Sequence, residues 1–355
     1  MRRSLEAWTR DFTHATRSLL RAPGFTLVTV ATLALAIGSN TAIFSVVDAV
    51  LLDPLPFRDA DRLVSIRGSA PGSDLPEEFS LADEVLVHYR DNASRLEGLG
   101  AFNTGQTTVR AEDRVDRLFV ALANASLFTT LDVTPVLGRL PVPEDGEDVA
   151  VISHSLWTSW FGGDPSVIGR TVEVSGDLQT VIGVMGPDFR FPTDRIALWV
   201  HGRFEEEEMD LSNGGAGGLG LVGRMTPGTE HEALAAELAT LVRRVPERFG
   251  GSPEYVRLIG QHRPVVRSLE AELVGDVAGP LWLLLGTVAV VLLIACANVA
   301  NLFIARAESR RLDLAVRQAL GAGRAGLVRT QMAEALLLAA AGGTAGALLA
   351  WAGVP

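Results

Sequence analysis

Long unbroken apolar runs lie at both ends of the chain, and short alternating runs lie between them. Phe25 to Val47 and Pro280 to Ala305 contain no charged side chain. As a helix, the second of these (PLWLLLGTVAVVLLIACANVANLFIA) would be about 39 Å long at ~1.5 Å per residue, enough to cross a ~30 Å hydrocarbon core with tilt. A third run, EALLLAAAGGTAGALLAWAGVP, starts at Glu334, is apolar again and is rich in small residues. The pattern predicts transmembrane helices over 25–51, 280–305 and 327–355. A cleaved signal peptide does not fit the first run, which is too long and begins only after residue 24. Gly38, Ser39, Asn40 and Thr41 put small and polar groups in mid-span, where such groups usually face a neighbouring helix. A place on a transport path is the competing reading for Asn40. Gly38, Asn40 and Glu334 are the candidate helix-packing positions.

Residues 52–279 show a different texture. Leu63 to Ile66 reads as a strand, Leu81 to Glu97 as a helix ending near Gly98, and Gln106 to Val109 and Arg117 to Ala123 as strands. Ser126 to Leu131 reads as a short helix and Val149 to Ser153 as a strand. His154 to Phe161 reads as a helix with Trp157, Trp160 and Phe161 turned inward. Arg170 to Val174 and Leu178 to Val184 form a hairpin about Ser175-Gly176-Asp177. Thr229 to Arg244 is the longest helix of this region, with Leu234, Leu238 and Leu241 on one face. The predicted fold class is therefore transmembrane α-helices plus an α+β extracytoplasmic domain. Ahead of the first span, Phe12, Ala15, Leu19 and Leu20 recur at helical spacing among Arg10, Arg17 and Arg21. This predicts a cytoplasmic amphipathic lead-in over 1–24, stopped by Pro23-Gly24.

Charge sets the orientation. Residues 1–24 hold five arginines against two acids and 306–329 hold six against two, whereas 52–279 hold 20 arginines against 36 acids, a net of −16. Basic flanks around an acidic middle are the positive-inside pattern with the middle outside. An acidic domain also argues against nucleic-acid binding, which needs a cationic face. At 48% hydrophobic residues and a mean hydropathy of +0.25, the chain fits a few spans carrying a large polar domain. The single cysteine, Cys296, lies in the second span, so no disulfide framework forms within one chain.

Between the second and third runs lies RAESRRLDLAVRQALGAGRAGLVRT, in which Leu312, Ala315, Val316, Ala319 and Leu320 fall on one helical face and arginines on the other. A basic interfacial helix that only fixes topology is one reading, and a docking helix for a cytoplasmic partner is the other. Here the residues carry a resemblance. The arginine cluster, Asp313, the run Ala315 to Ala322 and Glu334 resemble the loop signature of MacB/FtsX-type ABC transporter permeases. That resemblance implies an ATPase-coupling role over 306–326 for Arg306, Arg310, Arg311, Arg317, Leu320 and Gly321. LALAIGSNTAIFSVVDAVLLDPLPFRDADRLVSI resembles the first helix and exit of the same family, in particular its duplicated orphan permease (ADOP) subgroup. Members of that subgroup carry the unit twice and often lack a recognisable partner ATPase. Val149 to Pro192 resembles the MacB-like periplasmic core domain, carried by Trp157, Phe161-Gly162-Gly163-Asp164-Pro165, Ile168-Gly169 and Phe189-Arg190-Phe191-Pro192. Gly186 departs from it where a proline is expected.

Other motifs carry less. Gly218-Leu219-Gly220-Leu221-Val222-Gly223 spells GxGxxG, but a dinucleotide site needs a preceding strand and a helix starting inside the motif. Here more glycines precede it and Pro227 follows, so a flexible loop entering a strand fits better. No Walker A sequence occurs in these residues. His201 before Glu205 to Glu208 lacks ligand spacing, and His231-Glu232 lacks the second histidine of HExxH. Ser153-His154-Ser155 has no acid placed for a triad. No catalytic residue, metal site or cofactor is implied.

The resemblance implies a non-enzymatic permease subunit of an ABC-type export system, working by mechanotransmission in a bacterial inner membrane, multi-pass, with a cytoplasmic N-terminus. Implied partners are a cytoplasmic ABC ATPase, a second permease half or a homodimeric copy, a periplasmic adaptor and membrane lipid, with no nucleic acid. The cargo classes are a macrolide-like compound, peptide, lipid or lipoprotein. The family has a fourth helix, so the chain is expected to be a fragment or one half of a longer permease. An FtsX-like regulatory protein, signalling to an outside partner such as a cell-wall hydrolase without transport, is the alternative. An outside enzyme on a membrane anchor is the third reading, and it lacks a catalytic set.

Overall fold

The computed structural model describes residues 12–48, 56–204, 217–309 and 324–353. The chain divides into two units, residues 1–53 with 276–355, and residues 54–275. In chain order the helices are α1 (12–20), α2 (Pro23–Val47), α3 (Asp83–Asn92), α4 (Ala125–Leu131), α5 (His154–Phe161), α6 (His231–Val242), α7 (Val245–Phe249), α8 (Pro253–Gln261), α9 (Leu269–Ser309) and α10 (Arg324–Gly353). The strands are β1 (Leu63–Ser69), β2 (Leu81–Ala82), β3 (Leu96–Ala111), β4 (Arg114–Ala123), β5 (Leu137–Gly138), β6 (Val149–Ile152), β7 (Thr171–Val174), β8 (Asp177–Val184), β9 (Ile196–His201), β10 (Gly217–Met225) and β11 (Arg263–Ser268).

The first unit is helical. Pro23–Val47, Ala278–Glu308 and Val328–Gly353 are long and apolar enough to cross a membrane. Their large apolar side chains point outward. Leu35, Trp282, Leu283, Leu293 and Trp351 are all more than half exposed, which suits hydrocarbon and not water. Small residues let α2 and α10 approach closely. A Cβ added at Gly38 would lie 3.0 Å from the Gly346 carbonyl oxygen, and one at Gly346 would lie 2.9 Å from that of Ala34. Pro23 opens α2 at its first turn instead of stopping a helix. A proline there gives up a donor that no helix turn would use, and the lead-in helix ends at residue 20. Pro280, expected to open the second span, lies inside α9.

The second unit is a mixed α+β domain. Its sheet runs β11-β1-β10-β3-β4-β9-β6-β8-β5, with β2 on β10 and β7 bridging β3 and β8. The β4–β9 and β6–β8 pairs are parallel and the other pairs antiparallel. Three cores cover it. One packs Leu86, Tyr89, Leu234 and Leu238 of α3 and α6 on Ile66, Leu99 and Leu221. A second packs α5 against β4 and β6 to β9. A third gathers Phe128, Phe191, Trp199, Met185 and Leu269. A large apolar side chain fully buried contributes about 1.5–3 kcal/mol relative to exposure, so cores of this size hold the domain without disulfides.

Several element ends differ from the sequence expectation. The helix predicted to Glu97 stops at Asn92, whose side-chain amide donates to the His88 carbonyl at 2.8 Å. Leu96 already pairs with Met225, and Gly98 lies inside β3. Strand β3 is far longer than the predicted 106–109, pairing with β10 over its first part and with β4 over the rest, and Gly100 within it is required to be glycine. A Cβ there would lie 2.4 Å from the Leu127 Cα. Of the three aromatics predicted to face inward on α5, Phe161 is buried, while Trp157 and Trp160 are only half-buried against the same core. The β7–β8 hairpin turns on Ser175 (φ 58°) and Gly176 (φ 102°), both left-handed as a two-residue turn matching strand twist requires. Asp177 pairs with Val174 and belongs to the strand.

Helix α3 carries buried charge chemistry. Glu84 is fully buried and accepts a hydrogen bond from the Tyr255 hydroxyl, pinning α8 to α3. Burial raises the Glu84 pKa, and the Tyr255 bond partly opposes this. Burial and then the neighbouring Glu84 charge push Asp83 up from 3.8 to about 6. His262, edge-on to Phe79 at 5.7 Å, behaves oppositely, because burial holds it neutral down to about 4.

Two predictions follow from this packing. Between the Asp83 pKa of 3.8 in the unfolded chain and about 6 in the fold, the folded state binds the proton more tightly, so this group's contribution falls as pH rises. Asp83→Asn should therefore stabilise the domain at pH 7 by about 1 kcal/mol, after allowance for solvent screening of a half-exposed carboxyl, and hardly at all at pH 4. Thermal unfolding of the purified chain by tryptophan fluorescence at the two pH values measures the difference. In the membrane unit, Gly38→Leu should lower the unfolding temperature in detergent by the several degrees that correspond to about 1–3 kcal/mol of overpacking. Gly343→Leu, where an added Cβ meets nothing within 4 Å, should not.

Candidate functional site

The strongest cluster of chemistry in the described residues lies among the apolar helices. Arg306, near the end of α9, is the first residue of the arginine-rich stretch, and its side chain is only 9% exposed. Its Nη2 donates to the Ser18 carbonyl oxygen and shares a contact with the Ser18 hydroxyl, each at 3.1 Å. The same nitrogen lies 3.7 Å from the carboxylate of Glu334 on α10, whose side chain is also 9% exposed. The Ser18 hydroxyl donates to the other Glu334 oxygen. The guanidinium sits 4.2 Å from the ring centre of Phe25, a cation–π geometry. Phe25 in turn meets Phe303 edge-on at 5.5 Å. Helices α1, α2, α9 and α10 thus meet at one small polar knot.

Local sequence explains this arrangement. Ser18 follows Ala15 and precedes Leu19, the buried face of α1, and so is held inward. Phe25 is in the first turn of α2, directly after the Pro23 start. Arg306 is three residues beyond Phe303, one helical turn further along α9. A buried ion pair of this kind is held together because removing either partner would leave the other charge desolvated and unpaired.

The sequence-derived site residues divide into three groups. Arg306 and Glu334 are brought together in the knot. Gly38 lies on the α2–α10 contact, facing Gly346, and Asn40 is half-buried on α2. Arg310, Arg311, Arg317, Leu320 and Gly321, with the amphipathic helix expected around them, lie outside the described residues. Ser18, Phe25, Phe303 and Gly346 were not singled out by sequence reasoning. For Gly346 a signal existed: Ala34 with Gly38 and Gly342 with Gly346 are matched small-xxx-small pairs. For Ser18, nothing in α1 marks it as a partner for a residue 288 positions away.

The motifs of the outer domain have structural explanations. Gly218 to Gly223 lie in strand β10, where a Cβ on Gly220 would lie 2.6 Å from the Phe102 ring. The Ser153 hydroxyl caps α5 by accepting from the Leu156 amide at 3.1 Å, and the His154 ring lies edge-on to Trp157 at 5.4 Å. An open cleft of about 440 Å³ beside them is lined by His154, Ser155, Arg190 and Asp194. A second cleft, of about 300 Å³, is lined by Phe102, Phe191, Leu273 and the Arg67–Glu272 ion pair at 2.9 Å. His201 is buried at the end of β9, and burial lowers its pKa. Glu205 to Glu208 lie outside the described residues.

Comparison with known proteins bears on this architecture. The family profile of the MacB-like periplasmic core domain matches residues 26–241, and that of the FtsX-like permease C-terminal region matches residues 285–355. A search of curated proteins returns no match. Among solved structures, the periplasmic region of MacB from Actinobacillus actinomycetemcomitans overlaps 63% of this chain and 95% of its own, at 12% identity and a TM-score of 0.46. The extracellular domain of the noncanonic ABC-type transporter YknZ from Gram-positive bacteria overlaps 57% of this chain and 99% of its own, at 15% identity and a TM-score of 0.40. The assignment rests on the two sequence profiles, which between them take in the outer domain and the apolar helices. The chain belongs to the MacB/FtsX-type permease family, as a membrane component of an ABC-type transporter that carries a MacB-like periplasmic core domain.

Proposed function

We propose that this chain couples a cytoplasmic ATPase to its own extracytoplasmic domain by mechanotransmission, as half of a permease. The observation that carries this reading is the order of the two family profiles along one chain. The periplasmic core profile begins inside the first apolar helix, and the permease profile covers the helices that flank the arginine-rich stretch. In this reading 1–24 and 306–326 lie in the cytoplasm, 52–279 lie outside, and 25–51, 280–305 and 327–355 span the bilayer. The distribution of arginine supports that orientation.

In this reading ATP energy enters through a cytoplasmic ATPase and not through residues 1–355, which contain no P-loop sequence. The loop arginines Arg310, Arg311 and Arg317 offer guanidinium groups to carboxylates of that partner, with Leu320 and Gly321 shaping the contact. A second permease half or a second copy of this chain completes the assembly, and a periplasmic adaptor receives the motion of the outer domain. Among the described residues, the charges within these three spans are Asp48, Arg329 and Glu334, each toward an end of its span, so no row of charged groups runs along them. That suits export driven by movement of the outside domain better than a polar path through the bilayer.

Co-purification of the full chain with candidate ABC ATPases tests the coupling. Arg310→Glu/Arg317→Glu should reduce the bound ATPase by roughly tenfold or more through like-charge juxtaposition. Undiminished binding by the double variant would remove the docking role. Binding to an outside cell-wall hydrolase with no ATPase captured would favour signalling over transport.

A further inference from the structure

We propose that Arg306 is a positioning residue, the hub of a latch that ties the stem of the cytoplasmic loop to the lead-in helix α1. This inference rests on the permease reading, which makes 306–326 the loop through which an ATPase would act.

Arg306 begins that loop, and Glu334 stands eight residues beyond its end. Their ion pair, 3.7 Å long and almost wholly buried, closes the stem. Ser18 of α1 is held between the two charges, accepting from Arg306 through its carbonyl and donating to Glu334 through its hydroxyl. Phe25 covers the guanidinium face at 4.2 Å and fastens the start of α2 to the same point. The guanidinium is thereby committed inward. It serves the docking surface by fixing where the loop leaves the helices, and does not itself reach out to a partner. Displacement of the loop stem would pull on Ser18 and Phe25 together, so α1 and α2 would follow α9 and α10. A lysine cannot replace this group, because a compact ammonium has no flat face to stack on Phe25.

The experiment needs no ATPase, so its outcome is independent of the docking test. The full chain is placed in lipid nanodiscs and digested with trypsin, and cleavage after Arg17 and Arg21 is followed by mass spectrometry. Both arginines are exposed, so cleavage there reports local opening of α1. Arg306→Met and Glu334→Ala should each speed cleavage at these two sites by about tenfold, the response to losing a latch that holds α1 closed. The exchange Arg306→Glu/Glu334→Arg restores the ion pair but neither the Phe25 stack nor the bond to the Ser18 carbonyl, so it should recover only part of the lost protection, and a general loss of packing would not be rescued in this way. Arg306→Lys, which keeps the charge and folds most readily, should fall between. Single variants cleaved at the wild-type rate would overturn the latch. So would an exchange variant no slower than the singles, or Arg306→Lys indistinguishable from wild type.

Discussion

Hydrocarbon offers no partner to a charge or to an open backbone group, and this chain is arranged around that exclusion. Three stretches close their backbone hydrogen bonds internally as helices and turn Leu, Val and Trp side chains outward. Without a hydrophobic drive between helices in lipid, close approach must come from packing, and α2 and α10 obtain it from glycines that allow backbone to meet backbone. Two of the charges carried by these helices, Arg306 and Glu334, are held by each other and by Ser18. One constraint therefore accounts for the outward apolar surface, the small-residue contact and the polar knot.

The outer domain answers to water and is built by the opposite rule. Its apolar side chains are buried in three cores around a mixed sheet, and its acidic surface faces solvent. Polar groups are buried there too, among them Glu84, which accepts from Tyr255, and Arg224, whose Nε donates to the Thr130 carbonyl at 2.8 Å. The domain is large enough to stand on burial alone, as an extracytoplasmic domain without disulfides must. The glycines that resemble a nucleotide motif serve packing against Phe102 and the neighbouring strands.

The legible parts of the sequence were those with strong local signals. The spans declared themselves by length without charge, the β7–β8 hairpin by its Ser-Gly turn, and α6 by the period of Leu234 and Leu238. The long strand β3 was hidden because Gly98, Gly100 and Gly105 interrupt its alternation, and Gly100 is there for the sake of Leu127, a distant neighbour. The parallel pairings β4–β9 and β6–β8 join segments far apart in sequence and leave no local mark. At the candidate site, Arg306 and Glu334 were visible as charges at span ends, but their pairing through Ser18 was not. A contact across 288 residues is a property of the fold.

Orientation is the claim on which the coupling account depends, and cysteine accessibility tests it most directly. In a Cys296→Ala background, cysteines replace the exposed Leu178 of the outer domain and the exposed Leu20 of α1, one at a time. Spheroplasts are then treated with a membrane-impermeant maleimide. The account predicts labelling at position 178 in intact spheroplasts and at position 20 only after permeabilisation. Labelling at position 20 with protection at position 178 would contradict it.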